Sequence, residues 1–187
     1  SLSPTFNTNS AAPSAPWWQR ASVTMRQDFS KGIGEWIGAA NKSTRDWSLN
    51  PGGLRPGSFR IWERSANLTD YDLEFQARIE QRSIGWAFRA ADLNNFYGTK
   101  LSIQGGSGTA NNAGITRFVV LNGKQVGREQ FPIPVSLERG KPYRIRLSVH
   151  GDRFTTTVNG QVVGYWSDTK LSRGGFGFFS EPGEVST

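Results

Sequence analysis

Five side chains of this sequence have the types that grip a sugar: Arg89, Asn95, Tyr97 and Lys100 within Gly85–Leu101, and Arg117 downstream. Sugar recognition sets an aromatic face, against which C–H groups pack, beside planar donors and acceptors that read hydroxyls. Each residue also has a plainer role. Arg89 can pair with a neighbouring strand, and Tyr97 can lie in a core with its hydroxyl bonded. Asp72, Glu74 and Glu80 raise a second chemistry, since two carboxylates flanking a glycosidic bond can cleave it, one protonating the leaving oxygen. On one strand face the same acids serve as cross-strand partners for Arg144 and Arg146.

Metal and nucleophilic chemistry have less to work with. His150 is the sole histidine, it sits beside Gly151-Asp152, and the chain has no cysteine. A transition-metal site of the usual kind therefore lacks ligands. Asp92, Asn94 and Asn95 are three oxygen donors on one loop and form the candidate calcium site. Asp and Asn in such loops also bond their own backbone to make turns. Gly105-Gly106-Ser107-Gly108 opens no helix and lacks the lysine of a phosphate-binding loop. No catalytic residue and no resident cofactor are expected.

The elements that must position these groups are strands. In Tyr143–His150, Tyr143, Ile145, Leu147 and Val149 alternate with Arg144, Arg146, Ser148 and His150, the period of a half-buried antiparallel strand. Gly151-Asp152 reverses the chain, and Asn159-Gly160 and Asn122-Gly123 are tight hairpin signals, because both central residues of a type I′ turn need positive φ. Strands are expected at Ser22–Phe29, Trp47–Leu49, Gly57–Trp62, Tyr71–Glu80, Gly85–Ala90, Phe96–Ile103, Ile115–Leu121, Gly127–Phe131 and Gly174–Phe179, with three more around the last hairpins. Roughly eleven or twelve strands exceed what one open antiparallel sheet usually carries, so two stacked sheets are predicted. Trp36, Trp47, Trp62 and Trp166 read as core or edge-covering rings.

The 187 residues suit one domain, and 22 glycines, nine prolines and 12% aromatics without helical periodicity favour an all-β fold with little helix. Residues 1–16 (SLSPTFNTNSAAPSAP) read as a linker or tail, leaving 17–187 as the domain. Trp17-Trp18 is the odd feature at its start, a contact for a partner or membrane interface unless it packs on the sandwich. Glu181–Thr187 shows no strand of its own, which predicts an uncovered sheet edge: the closing strand is missing or another chain supplies it. The net charge of +7 and pI near 10.1 come from dispersed basic residues, not a stripe, so nucleic acid is not an expected partner.

Several segments resemble the concanavalin A-like, laminin G-type jelly roll: DFSKGIGEWIG (Asp28–Gly38), YDLEFQARI (Tyr71–Ile79), GWAFRAADLNNFYGTKL (Gly85–Leu101), YRIRLSVHGDRFTTTVNGQVV (Tyr143–Val163) and WSDTKLSRGGFGFF (Trp166–Phe179). The resemblance implies a two-sheet antiparallel sandwich in which the Gly-Gly-x-Gly-Phe phrase packs glycine against the opposite sheet. It is similar to bacterial extracytoplasmic domains of unassigned function, often carried behind a membrane anchor, and related modules bind sugars. Laminarinase-like relatives carry a Glu-x-Asp-x-x-Glu strand, which is absent here. The resulting reading is a non-catalytic module for glycan recognition or adhesion, periplasmic or secreted, free or anchored through a segment outside this sequence. One alternative is a structural or assembly subunit of a membrane-associated complex, bound to a protein partner through its N-terminal segment or an open edge. The other is a degenerate glycoside hydrolase.

Overall fold

The computed structural model describes residues 25–39, 46–104 and 112–187. Among them run β1 (Trp36–Ile37), β2 (Ser48–Asn50), β3 (Gly53–Arg55), β4 (Arg60–Trp62), β5 (Tyr71–Gln81), β6 (Ser83–Asp92), β7 (Asn95–Ile103), β8 (Ala113–Leu121), β9 (Lys124–Pro132), β10 (Pro142–His150), β11 (Arg153–Val158), β12 (Gln161–Ser167), β13 (Gly175–Phe179) and β14 (Val185–Ser186). They form a seven-stranded sheet in the order β1-β4-β13-β6-β7-β8-β9 and a five-stranded sheet in the order β12-β11-β10-β5-β14; β2 and β3 make a separate hairpin. The expected all-β, two-sheet antiparallel sandwich is what forms. No helix among the described residues is long and apolar enough to cross a membrane.

Alternation places the core. On β10, Tyr143, Ile145, Leu147 and Val149 are buried while Arg144 and Arg146 are exposed. These residues meet Phe88, Tyr97, Leu101 and Phe178 from the facing sheet in one apolar cluster, which also takes in Trp36, Trp47 and Trp62. Asn122 and Asn159 adopt φ of 51° and 49°, followed by Gly123 and Gly160 at 75° and 86°, as tight hairpins require.

The second face of the seven-stranded sheet is buried as well. Ile61, Ala87, Phe96, Phe118, Val120 and Phe179 form a further apolar cluster there, with Phe59 stacked on Phe96 at 4.4 Å. Two glycines make room: a Cβ at Gly85 would strike the Phe179 ring, and one at Gly98 the Phe118 ring. The glycine phrase of β13 also differs from expectation. Gly174 and Gly177 lie against the backbones of Ala90 and Arg60, so they permit close approach within their own sheet and not to the opposite one.

Three boundaries are corrected. Of the strand expected at Ser22–Phe29, residues 25–29 form none, because Gln27 accepts from the Phe29 amide and Asp28 from the Ser30 amide, bending the chain locally; residues 22–24 lie outside the described part. Ser48–Asn50 pairs with Gly53–Arg55 around Pro51-Gly52, not with the strand ending at Trp62. Glu181–Thr187 does contain a strand, the two-residue β14, which pairs with Gln81 and Ile79 of β5.

Candidate functional site

Arg89, one of the five sugar-type residues, is turned inward by an irregularity. The register of β6 shifts on both sides near it, and Arg89 has a φ of 46°. Its side chain is therefore buried at one end of the sandwich, where Nε donates to the Thr69 carbonyl, Nη1 to Leu171, and Nη2 to Gly151 and the Asp70 carboxylate at 3.1 Å. Tyr97 is fully buried beside it. Its hydroxyl donates to Asp168 at 2.7 Å and accepts from the Leu171 amide at 2.9 Å. Burial, helped by the hydrogen bond to Asp168, pushes the Tyr97 phenol well above its ordinary pKa. Together these two residues tie the loops before β5, after β10 and after β12 into one knot.

Lys100 is also buried, on the other face of the sheet, with Nζ 2.5 Å from Glu181 and 2.6 Å from Glu184. It fastens the turn that leads into β14. Asn95 donates to both Asp92 oxygens and accepts from the Asn122 amide, while Asp92 also accepts from the Asn94 amide. That loop is laced to the neighbouring hairpin turn, and its single carboxylate already has partners. No cluster of three or more His, Cys, Asp or Glu suited to a metal occurs among the described residues. Trp17, Trp18 and the glycine-rich 105–108 lie outside the described residues.

Arg117 stands apart from the other four. It faces inward from β8 near the margin of the sandwich, where β12 is the last strand of the five-stranded sheet and β9 the last of the seven-stranded one. All of β9 is exposed, so its inward face is left as a ledge. Arg117 Nε and Nη2 grip Glu129 on β9 at 2.7 and 2.6 Å, and Nη1 donates to the Tyr165 carbonyl at 3.4 Å. Its guanidinium carbon lies 4.9 Å from the Phe131 ring centre and 5.3 Å from that of Trp166. The cation is thus held flat between two rings, with its side chain 26% exposed. Each terminal nitrogen keeps a further N–H for an incoming acceptor.

Local features of the sequence build this ledge. Gly127, at a φ of 64°, is an extra residue in β9, so Val126 faces Val119 and Glu129 faces Arg117 on the same inward side although they are three positions apart. Gly164 lets β12 approach β8, because a Cβ there would press on Ile115. Trp166 is anchored by edge-to-face packing on Phe88, Tyr97 and Phe154. Phe131, Val126 and Tyr165 are left 41%, 40% and 60% exposed along the ledge and its rim strand. Glu129, Phe131 and Trp166 were not among the sugar-type candidates of the sequence. Their signal was faint: Phe131 and Glu129 on a strand otherwise polar, shifted by a bulge that alternation cannot show.

The acids of β5 have a different setting. Asp72 accepts from Ser148 at 2.5 Å and Arg146 at 3.1 Å, and lies 3.3 Å from His150 Nε2. Burial alone would raise its pKa, but the bonds from Ser148, Arg146 and His150 outweigh that and hold it below the ordinary value. A carboxyl kept ionised in this way is unsuited to donate a proton. The cross-strand role expected for Asp72 and Arg146 is the one found.

No family model matches the sequence, and no curated protein does either. Solved structures do. The carbohydrate-binding module CBM66 from Bacillus subtilis superposes with a TM-score of 0.58 at 19% identity, covering 75% of this chain and 86% of its own. A β-glucanase of Bacillus licheniformis gives 0.52 at 9% identity, over 84% of this chain and 81% of its own. The Dario rerio galectin-1-L2 gives 0.50 at 11%, over 69% and 94%. At such identities the likeness is one of architecture, and the chain folds as a concanavalin A-like jelly-roll sandwich.

Proposed function

We propose that this protein is a non-catalytic module that binds a neutral glycan on the ledge formed by Arg117, Glu129, Phe131 and Trp166, outside the cytoplasm. The observation that carries the reading is the Arg117 guanidinium, set between two rings and paired with Glu129 where half of the surroundings are open. A sugar ring laid on Phe131 would offer its C–H face to the ring and adjacent hydroxyls to both members of the ion pair, one donating and one accepting. Glu129 offsets the local positive charge and repels a carboxylate, so neutral sugars fit better than uronic acids despite the overall charge of +7. The carbohydrate-binding module among the structural neighbours adds support at the level of the scaffold.

Calorimetric titration with neutral and acidic oligosaccharides tests this. Saturable binding of a neutral glycan is expected, weakened roughly tenfold, or about 1.4 kcal/mol, in Phe131→Ala and at least as much in Arg117→Lys, which loses the planar fork. Both variants should keep the parent melting temperature within about 3 °C, as surface changes do. No saturable binding by the parent, or undiminished binding by both variants, would overturn the reading.

A further inference from the structure

The opposite margin of the sandwich carries a groove of about 1260 Å³. It opens between the sheets along β5, where the inward-facing Leu73 and Phe75 are only partly buried and share the lining with Trp36, Leu54 and Phe178. β5 pairs along most of its length with β10 on one side. On its other side, among the described residues, only Gln81, Ile79 and Arg78 have partners: Val185 and Ser186 of β14, and Thr187, whose amide and carbonyl both bond Arg78. By alternation the amides and carbonyls of Gln76, Glu74 and Asp72 point the same way as those of Arg78. No described strand lies beside them.

We propose that this edge takes one more length of strand, running on from Thr187 antiparallel to β5 and closing the groove. The occupant is a segment of extended polypeptide joined to Thr187, and three observations specify it. β14 already lies on the edge in the required direction, so a continuation reaches its place at high effective concentration, whereas a free peptide must also lose its own freedom. The register assigns its side chains: the first, third and fifth residues past Thr187 stand opposite Ala77, Phe75 and Leu73 and face the groove, so they are apolar. The second and fourth stand opposite Gln76 and Glu74, supply the hydrogen bonds and face solvent, so they are polar. A bare edge beside half-buried apolar residues is otherwise an aggregation template.

The experiment compares three forms by amide hydrogen exchange: the 187-residue chain, the chain extended by Val-Thr-Val-Thr-Val, and the chain extended by Val-Pro-Val-Pro-Val. In the first extension, exchange at Gln76 and Glu74 is expected to slow at least tenfold and the melting temperature to rise. The proline form should show neither, since it offers no N–H opposite those residues. Unchanged exchange in the threonine form, or equal protection in the proline form, would refute the proposal. Equal protection from the free pentapeptide at millimolar concentration would refute attachment through Thr187. Protection in the unextended chain that grows with protein concentration would assign the edge to a second copy instead.

Discussion

Two arginines of this chain do opposite things, and burial separates them. Arg89 is 2% exposed and its guanidinium meets three backbone carbonyls and Asp70. Arg89→Met would leave those carbonyls without donors in a dry environment, a loss of about 3–5 kcal/mol. Denaturant unfolding should show it as a lower midpoint at unchanged slope; a loss under about 1 kcal/mol would mean that water replaces the guanidinium at no cost. Arg117 instead keeps part of its side chain open and pairs with a carboxylate that is itself largely exposed. The sequence could not tell the two apart. Both sit on alternating strands, and only the positive φ at Arg89 and the uncovered inward face of β9 assign one to the interior and the other to a surface. Tyr97 and Lys100 share the fate of Arg89, for their polar ends find protein partners that are distant in sequence.

Elements were legible where local chemistry fixes the backbone and illegible where contacts do. The hairpins at Asn122-Gly123 and Asn159-Gly160 follow from the positive φ that those residues tolerate. β14 has no such signature, because Val185 and Ser186 become a strand only through the β5 edge and the turn before them. That turn is held by Lys100, and it makes part of the fold sensitive to acid. Burial alone would raise the Glu184 carboxyl, but the bonds from Lys100, from the Glu181 amide and from Ser83 outweigh it and depress its pKa. A depressed carboxylate contributes stability that is complete above its unfolded value, near 4.5, and drains away as pH falls through the lower folded value. Glu184→Gln should therefore cost about 1–3 kcal/mol at neutral pH. The gap between parent and variant should close as the pH is taken from about 5 towards 3, across the carboxylate range. A gap independent of pH would show that shape, and not charge, holds the turn.

At the scale of the molecule, sheets of seven and five strands cannot cover one another completely, and the two margins differ in consequence. One margin leaves β9 projecting past β12 as a ledge with an ion pair between rings; the other leaves half of β5 facing an apolar groove. The number of strands was close to readable from turn spacing. Which edge would stand uncovered was not, since strand order is set by pairing between segments far apart in the chain, such as β13 inserted between β4 and β6. The bifacial burial of the seven-stranded sheet escaped for a related reason: Gly85 and Gly98 look like interruptions until Phe179 and Phe118 lie across them. The most direct test of the ledge as the binding surface is an NMR titration of the labelled protein with the neutral oligosaccharide that binds best. The account expects shifts confined to the Arg117 and Glu129 amides, the Phe131 ring and the Trp166 indole; shifts centred on the β5 groove, or none at saturating ligand, would contradict it.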